Sequence, residues 1–112
     1  EIYKDQEGII WAACVDHIRT LNSKNEIIIP FHYRAMSFMR VDDKFFIGSE
    51  NGLFEYDIKR EKTKKVILEK SGEIETSYVS SFIEFANNSL WIGTGNGLYL
   101  YNYQQNKVLK QS

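Results

Sequence analysis

The feature that most constrains this chain is that it repeats itself. The segment from Val41 to Ile58 lies without gaps over the segment from Ala86 to Tyr103, an offset of 45 residues. Six aligned pairs are identical: Ile47/Ile92, Gly48/Gly93, Asn51/Asn96, Gly52/Gly97, Leu53/Leu98 and Tyr56/Tyr101. A fainter third copy between Asp5 and Asn22 puts Trp11 over Phe46 and Trp91, and Ile18 over Leu53 and Leu98, at an offset of 35. The shorter spacing assigns the extra residues of the later copies to a variable loop or outer strand. A period in this range belongs to solenoids and propellers, whose units cannot bury a hydrophobic face alone and stack to do so.

Strand chemistry decides between the two. Each copy is a short apolar run, a turn, and then alternation, as in Leu53-Phe54-Glu55-Tyr56-Asp57 and Leu98-Tyr99-Leu100-Tyr101-Asn102. Period-two alternation marks half-buried strands and excludes helical repeats. The middle copy reads as strands near Arg34 to Arg40, Lys44 to Ser49, Gly52 to Ile58 and Lys65 to Lys70. The last copy reads as strands near Ser77 to Phe85, Ser89 to Thr94, Gly97 to Tyr103 and Lys107 to Gln111. Four antiparallel strands per repeat is the plan of a propeller blade. The expected fold is all-β: one β-propeller domain fragment over 1–112, about two and a half blades of a larger propeller, with repeats near 1–33, 34–76 and 77–112.

Turn residues fit this plan. Asp42-Asp43 and Asn87-Asn88 suit the first hairpin, because short Asx side chains tolerate positive φ and bond their own backbone. Glu50-Asn51-Gly52 and Gly95-Asn96-Gly97 carry the Asn-Gly signal of a tight second hairpin. The polar stretches Lys59 to Lys64 and Gln104 to Asn106 serve as the third turn, the first of them as a solvated hairpin tip of mixed charge.

Composition enters as exclusion. Fourteen basic and fifteen acidic residues leave a formal charge of -1, so no basic field exists to hold nucleic acid. Cys14 is the single cysteine, which rules out an internal disulfide and a cysteine-based metal site. Apolar runs such as Ile27 to Ile29 are far shorter than the roughly 18 residues of a membrane span, so no membrane contact is expected of this segment. The chain begins at Glu1 with no signal-peptide pattern and is read as an excerpt.

The stretch Asn88-Ser89-Leu90-Trp91-Ile92-Gly93-Thr94-Gly95-Asn96-Gly97-Leu98-Tyr99-Leu100-Tyr101-Asn102 resembles the two-component regulator propeller repeat: Gly-x-Leu-Trp-Ile-Gly-Thr, two variable residues, Gly-Leu, and an aromatic near Asp. Phe46 takes the place of Trp in the middle copy. Asp5-Gln6-Glu7-Gly8-Ile9-Ile10-Trp11 has the family's Asp-x-Glu-Gly opening, while Ala13 and His17 replace both glycines of the first copy. The resemblance implies the periplasmic sensor region of a bacterial hybrid two-component system, in which about seven blades close a ring and polysaccharide fragments are a frequent signal. The parent protein would by the same resemblance carry a transmembrane helix and a histidine kinase, neither of which lies in this chain.

Chemistry-bearing residues offer little else. Gly93 to Gly97 lacks the following helix and lysine of a phosphate loop. His17 and His32 have no metal-ligand spacing. Glu73 and Glu75 could in principle act on a glycosidic bond, but they read as a solvated loop, and Ser37, Ser80 and Ser81 lack nucleophile-elbow glycines. No catalytic residue, cofactor or metal is expected. Trp11, Phe46 and Trp91 are read as inter-blade core rather than sugar-stacking platforms. The face built by the inter-blade loops and the second hairpins is where propellers meet ligands, and it holds Tyr33, Arg34, Tyr78, Glu50 and Asn51. Tyrosine stacking and the forked guanidinium suit carbohydrate and carboxylated sugars.

The expected function is therefore non-catalytic sensing of an oligosaccharide or other small signal. The alternatives are a protein-interaction scaffold without a small-molecule site, and a sugar lyase or hydrolase. Expected partners are the remaining blades of the parent chain and a second sensor molecule, because an open sheet edge and uncovered faces tend to pair.

Overall fold

The computed structural model describes residues 1–68, 78–86 and 88–112. Among these, twelve strands form three four-stranded antiparallel sheets. The first contains β1 (Ile2–Lys4), β2 (Ile10–Ala13), β3 (His17–Thr20) and β4 (Ile28–Pro30). The second contains β5 (Ala35–Val41), β6 (Lys44–Ser49), β7 (Gly52–Asp57) and β8 (Lys62–Val66), and the third β9 (Val79–Phe85), β10 (Ser89–Thr94), β11 (Gly97–Asn102) and β12 (Lys107–Gln111). Each sheet runs in simple up-and-down order, the plan of a propeller blade. The first copy thus completes a small four-stranded sheet, so the expected two and a half blades are three.

Register confirms the sequence repeat. Ala13 pairs with Ile18, Gly48 with Leu53 and Gly93 with Leu98, which places the second hairpins in equivalent positions. The difference in spacing lies mostly in the connections between sheets. Four residues, Phe31 to Arg34, join β4 to β5, whereas residues 67–78 join β8 to β9.

The cores lie between the sheets. Alternation along β6 sends Phe45 and Ile47 toward the first sheet and Phe46 toward the third. Trp11 stacks on Phe45 with ring centroids 4.3 Å apart, and Ile18, Ile29, Phe31 and Phe38 complete that layer. Across the second interface Phe46 meets Tyr103 at 5.6 Å among Leu53, Val66, Val79, Leu90, Ile92 and Tyr101. Trp11 and Phe46 are fully buried, as expected for inter-blade core. Trp91 is half-buried, because no sheet among the described residues covers its face of the third sheet.

One strand starts more than two residues from where it is expected. The fourth strand of the middle repeat is Lys62–Val66, three residues earlier than read, because the turn before it is tight. The Asp57 carboxylate accepts from the Arg60 amide at 2.9 Å, and Glu61 adopts φ 56°. The same turn recurs 45 residues on, where Asn102 accepts from the Gln104 and Gln105 amides and Asn106 adopts φ 54°. A charged run conceals the turn, since its local bonding comes from one Asp. The first hairpins behave as expected of Asx residues, with Asp42 at φ 53° and Asn88 at φ 59°. Strand β8 ends at Val66, short of the expected continuation through Ile67 and Leu68, while Lys70, Ser77 and Asn87 lie outside the described residues.

A buried polar motif ties the first sheet to the second. One Asp5 carboxylate oxygen accepts from the Glu7 and Ile9 amides, and the other accepts from Trp11 Nε1 and Arg40, across the sheet interface. Burial pushes the carboxyl pKa up, but these bonds outweigh it and hold Asp5 below the usual carboxylate range. The Asp-x-Glu-Gly opening is thus a structural clasp for the buried Trp11.

Candidate functional site

Up-and-down sheets put the second hairpins and the inter-sheet connections at one end of the molecule, here the upper end. The upper hairpins are built by hydroxyls. Ser49 Oγ accepts from the Asn51 amide at 3.1 Å and donates to the Gly52 carbonyl at 2.9 Å, and Thr94 repeats this with Asn96 and Gly97 at 3.0 and 2.9 Å. The glycines, at φ 107° and 121°, close the turn from its fourth position. This is a Ser/Thr-first, Gly-last type I pattern, not an Asn-Gly pair at the two central positions, and neither Asn51 nor Asn96 has positive φ. In the first sheet the Cys14 amide donates to the His17 carbonyl at 2.7 Å, and His17 takes no positive φ. Its side chain pairs with Asp16 at 2.7 Å, and that hydrogen bond holds Asp16 below the usual carboxylate range.

The structure brings four of the five expected site residues together around the β4–β5 connection. The Glu50 amide donates to the Arg34 carbonyl at 3.2 Å, while the Arg34 amide donates to Glu50 Oε1 at 3.4 Å. Asn51 follows in the same turn. Tyr33 stacks on Phe54 at 5.4 Å and meets Phe31 edge-on at 5.8 Å, which fixes the ring while leaving it 44% exposed. The fifth, Tyr78, stands at the equivalent place in the next sheet, 48% exposed. Its carbonyl accepts from the Gly95 amide at 3.1 Å, and its ring lies so close that a Cβ on Gly95 would meet it at 2.9 Å.

A cleft of about 460 Å³ opens here between the first and second sheets. Tyr33 and Arg34 line it with His32, Glu1 and Cys14. Cys14 carries no sequence signal as a lining residue, because the first hairpin lacks the glycines that mark such turns elsewhere. A second cleft of about 370 Å³ lies at the lower end between the second and third sheets. It is lined by hairpin-tip charges that compensate one another, with Lys59 reaching Asp43 at 3.3 Å. The upper cleft carries a fixed aromatic ring and a guanidinium with no side-chain partner among the described residues.

Reactive chemistry is not assembled among the described residues. No group of three His, Cys, Asp or Glu side chains is arranged to hold a metal ion there, and Glu73 and Glu75 lie outside the described residues. Ser37 Oγ donates to the Val79 carbonyl at 3.4 Å, a bond between sheets. One buried carboxylate escaped sequence reading. Glu55 accepts from Lys44 at 2.9 Å with Lys64 at 3.7 Å, and its other oxygen has no partner. Burial, with the Glu55 charge nearby, pushes the Tyr101 hydroxyl up to about 12. No described helix is long and apolar enough to cross a membrane.

No protein-family model matches the sequence, and no curated protein matches it significantly. Solved structures do. The extracellular domain of BT4673 from B. thetaiotaomicron, described as a proposed hybrid two component system, superposes with a TM-score of 0.71 at 23% identity. A second structure of an extracellular domain of BT4673, there described as a proposed one component system, gives 0.68 at 22%. Each match covers 92% of this chain, which spans only 15% of the length of those proteins. At this identity the likeness establishes a shared fold: the three sheets are built as a stretch of that larger extracellular domain is built.

Proposed function

We propose that this chain is part of the extracytoplasmic, non-catalytic sensing region of a bacterial two-component sensor of the two-component regulator propeller type, and that its upper cleft contributes to binding a carbohydrate-derived signal. The observation that carries this reading is the fold shared over 92% of the chain with an extracellular domain described as that of a signalling system. The cleft supplies the matching chemistry. Tyr33 is held flat against Phe54 and offers an aromatic face, which suits a sugar ring. Arg34 has its backbone tied to Glu50 and its guanidinium free to fork onto hydroxyls or a carboxylate. Glu50, Asn51 and Tyr78 stand at the same end of the molecule without lining the cleft.

The test is calorimetric titration of the chain with neutral and uronic-acid oligosaccharides, alongside Tyr33→Ala and Arg34→Ala. Binding that weakens by about tenfold or more in either variant supports the reading. Binding unaffected by both removes the cleft from it, and no binding to any saccharide favours the scaffold alternative.

A further inference from the structure

The lower cleft, of about 370 Å³, falls within the size range of small-molecule sites. Its two walls belong to the second and third sheets, which already pack against each other through the core around Phe46. The floor is apolar and fixed. Val41 and Tyr103 form it, and the Tyr103 ring, only 8% exposed, lies 5.6 Å from Phe46.

The wall from the third sheet is neutral. Asn88 Nδ2 donates to Gln104 Oε1 at 2.7 Å, and Asn88 Oδ1 accepts from the Tyr103 hydroxyl at 3.4 Å. Burial first, then the Glu84 and Asp42 charges, push the Tyr103 hydroxyl pKa up, so at neutral pH it stays a donor. The wall from the second sheet holds all the charge. Asp42, Asp43 and Asp57 stand there with Lys44, Lys59 and Arg60. Equal numbers of each sign give the cleft no net attraction for an anion or a cation.

Pairing within that wall leaves one group of each sign over. Lys44 Nζ is held by the buried Glu55 at 2.9 Å, and Lys59 reaches Asp43 at 3.3 Å. Asp57 is occupied by its own turn, accepting from the Arg60 amide at 2.9 Å. The Asp42 carboxylate and the Arg60 guanidinium have no side-chain partner among the described residues. Both stand on tight turns, Asp42 at φ 53° in the first hairpin and Arg60 in the turn that Asp57 closes.

We propose that the lower cleft binds a neutral zwitterion with an apolar body, of the class of the apolar α-amino acids. Asp42 takes the ammonium and Arg60 forks onto the carboxylate. The apolar body lies on Val41 and Tyr103, with the Asn88 and Gln104 amides along the other side. This site shares no lining residue with the upper cleft and lies at the opposite end of the molecule.

Nuclear magnetic resonance titration of the 112-residue chain with phenylalanine, phenylalaninamide and N-acetylphenylalanine tests this. The amide removes the carboxylate and the acetyl group removes the ammonium. Phenylalanine is expected to shift the backbone amides of Asn88, Tyr103 and Gln104, and to bind about tenfold or more tightly than either derivative. Arg60→Gln should erase its advantage over phenylalaninamide only, and Asp42→Asn its advantage over N-acetylphenylalanine only. Asn88 shows that asparagine accepts the same backbone conformation, at φ 59°, so the Asp42→Asn hairpin is kept and an unchanged circular dichroism spectrum checks it. No binding of phenylalanine at millimolar concentration overturns the proposal, as do equal affinities for all three compounds and shifts gathered around Tyr33 and Arg34. Saccharide titration reads the other end of the molecule, so failure of either proposal leaves the other standing.

Discussion

At the scale of single residues, aligned positions carry different duties because their surroundings differ. Gly48 and Gly93 are identical in the repeat, yet only Gly48 has another sheet's backbone against it. Gly48→Ala must push Val79 away and is expected to cost about 1–3 kcal/mol, the usual price of overpacking. Gly93→Ala asks only for serine side chains to rotate and should cost measurably less in the same denaturant titration. Equal losses would mean that the inter-sheet approach at Gly48 is slack. Asp5 sets an acid limit. Its folded pKa lies below the ordinary carboxylate value of 3.8, so its contribution is present above that value and is lost as pH falls through the window beneath it. Thermal melts of the wild type should therefore drop below about pH 4, and Asp5→Asn should be less stable at neutral pH while losing part of that acid dependence. Tyr101 sets an alkaline limit by the opposite logic. With a folded pKa of about 12 against 10.0, stability is full below pH 10.0 and declines as pH rises toward 12, because the unfolded chain releases the proton first. Tyr101→Phe should flatten the melts across that window.

Among elements, the repeating unit is a sheet with one face for the sheet before it and another for the sheet after it. Trp11, Phe46 and Trp91 occupy the same forward-facing position, but their burial follows the neighbour and not the residue. Trp11→Ala removes a ring stacked at 4.3 Å on Phe45 and the donor to Asp5, and is expected to cost about 3–5 kcal/mol. Trp91→Ala should cost clearly less in this chain, since Trp91 is only half-buried among the described residues. Denaturation midpoints of the two variants compare them directly. The alternation of apolar residues made this two-faced character legible in the sequence. The position of β8 was not legible, since Lys62 to Lys65 are all exposed and carry no periodic signal.

For the molecule as a whole, the three sheets of the described residues stack to bury two inter-sheet layers. Each internal sheet interface combines apolar contacts with a polar tie, Asp5 to Arg40 in one and Ser37 to Val79 in the other. Truncating the stack by one sheet would remove a whole layer, leaving a chain with one core. A variant lacking residues 1–30 is expected to lose its cooperative thermal transition, because Phe45, Ile47 and Tyr56 would then face solvent. A sharp transition retained in that variant would instead make the second and third sheets a self-sufficient unit. The upper cleft belongs to this scale too, since its walls come from two sheets and the link between them.

The sequence by itself determined the repeat, the all-β class, the Asx-led first hairpins and the end of the molecule where Tyr33, Arg34, Glu50, Asn51 and Tyr78 sit. These follow from local rules: period-two alternation, turn chemistry and the order of strands along the chain. The tertiary structure decided what depends on neighbours in space. It completed the first sheet from short strands, revealed Ser49 and Thr94 as the builders of the upper turns, and joined Asp5 to Arg40 across 35 residues of chain. It also set Trp91 apart from Trp11, because burial is a property of the surface that covers a residue, and no local pattern records which sheet lies opposite.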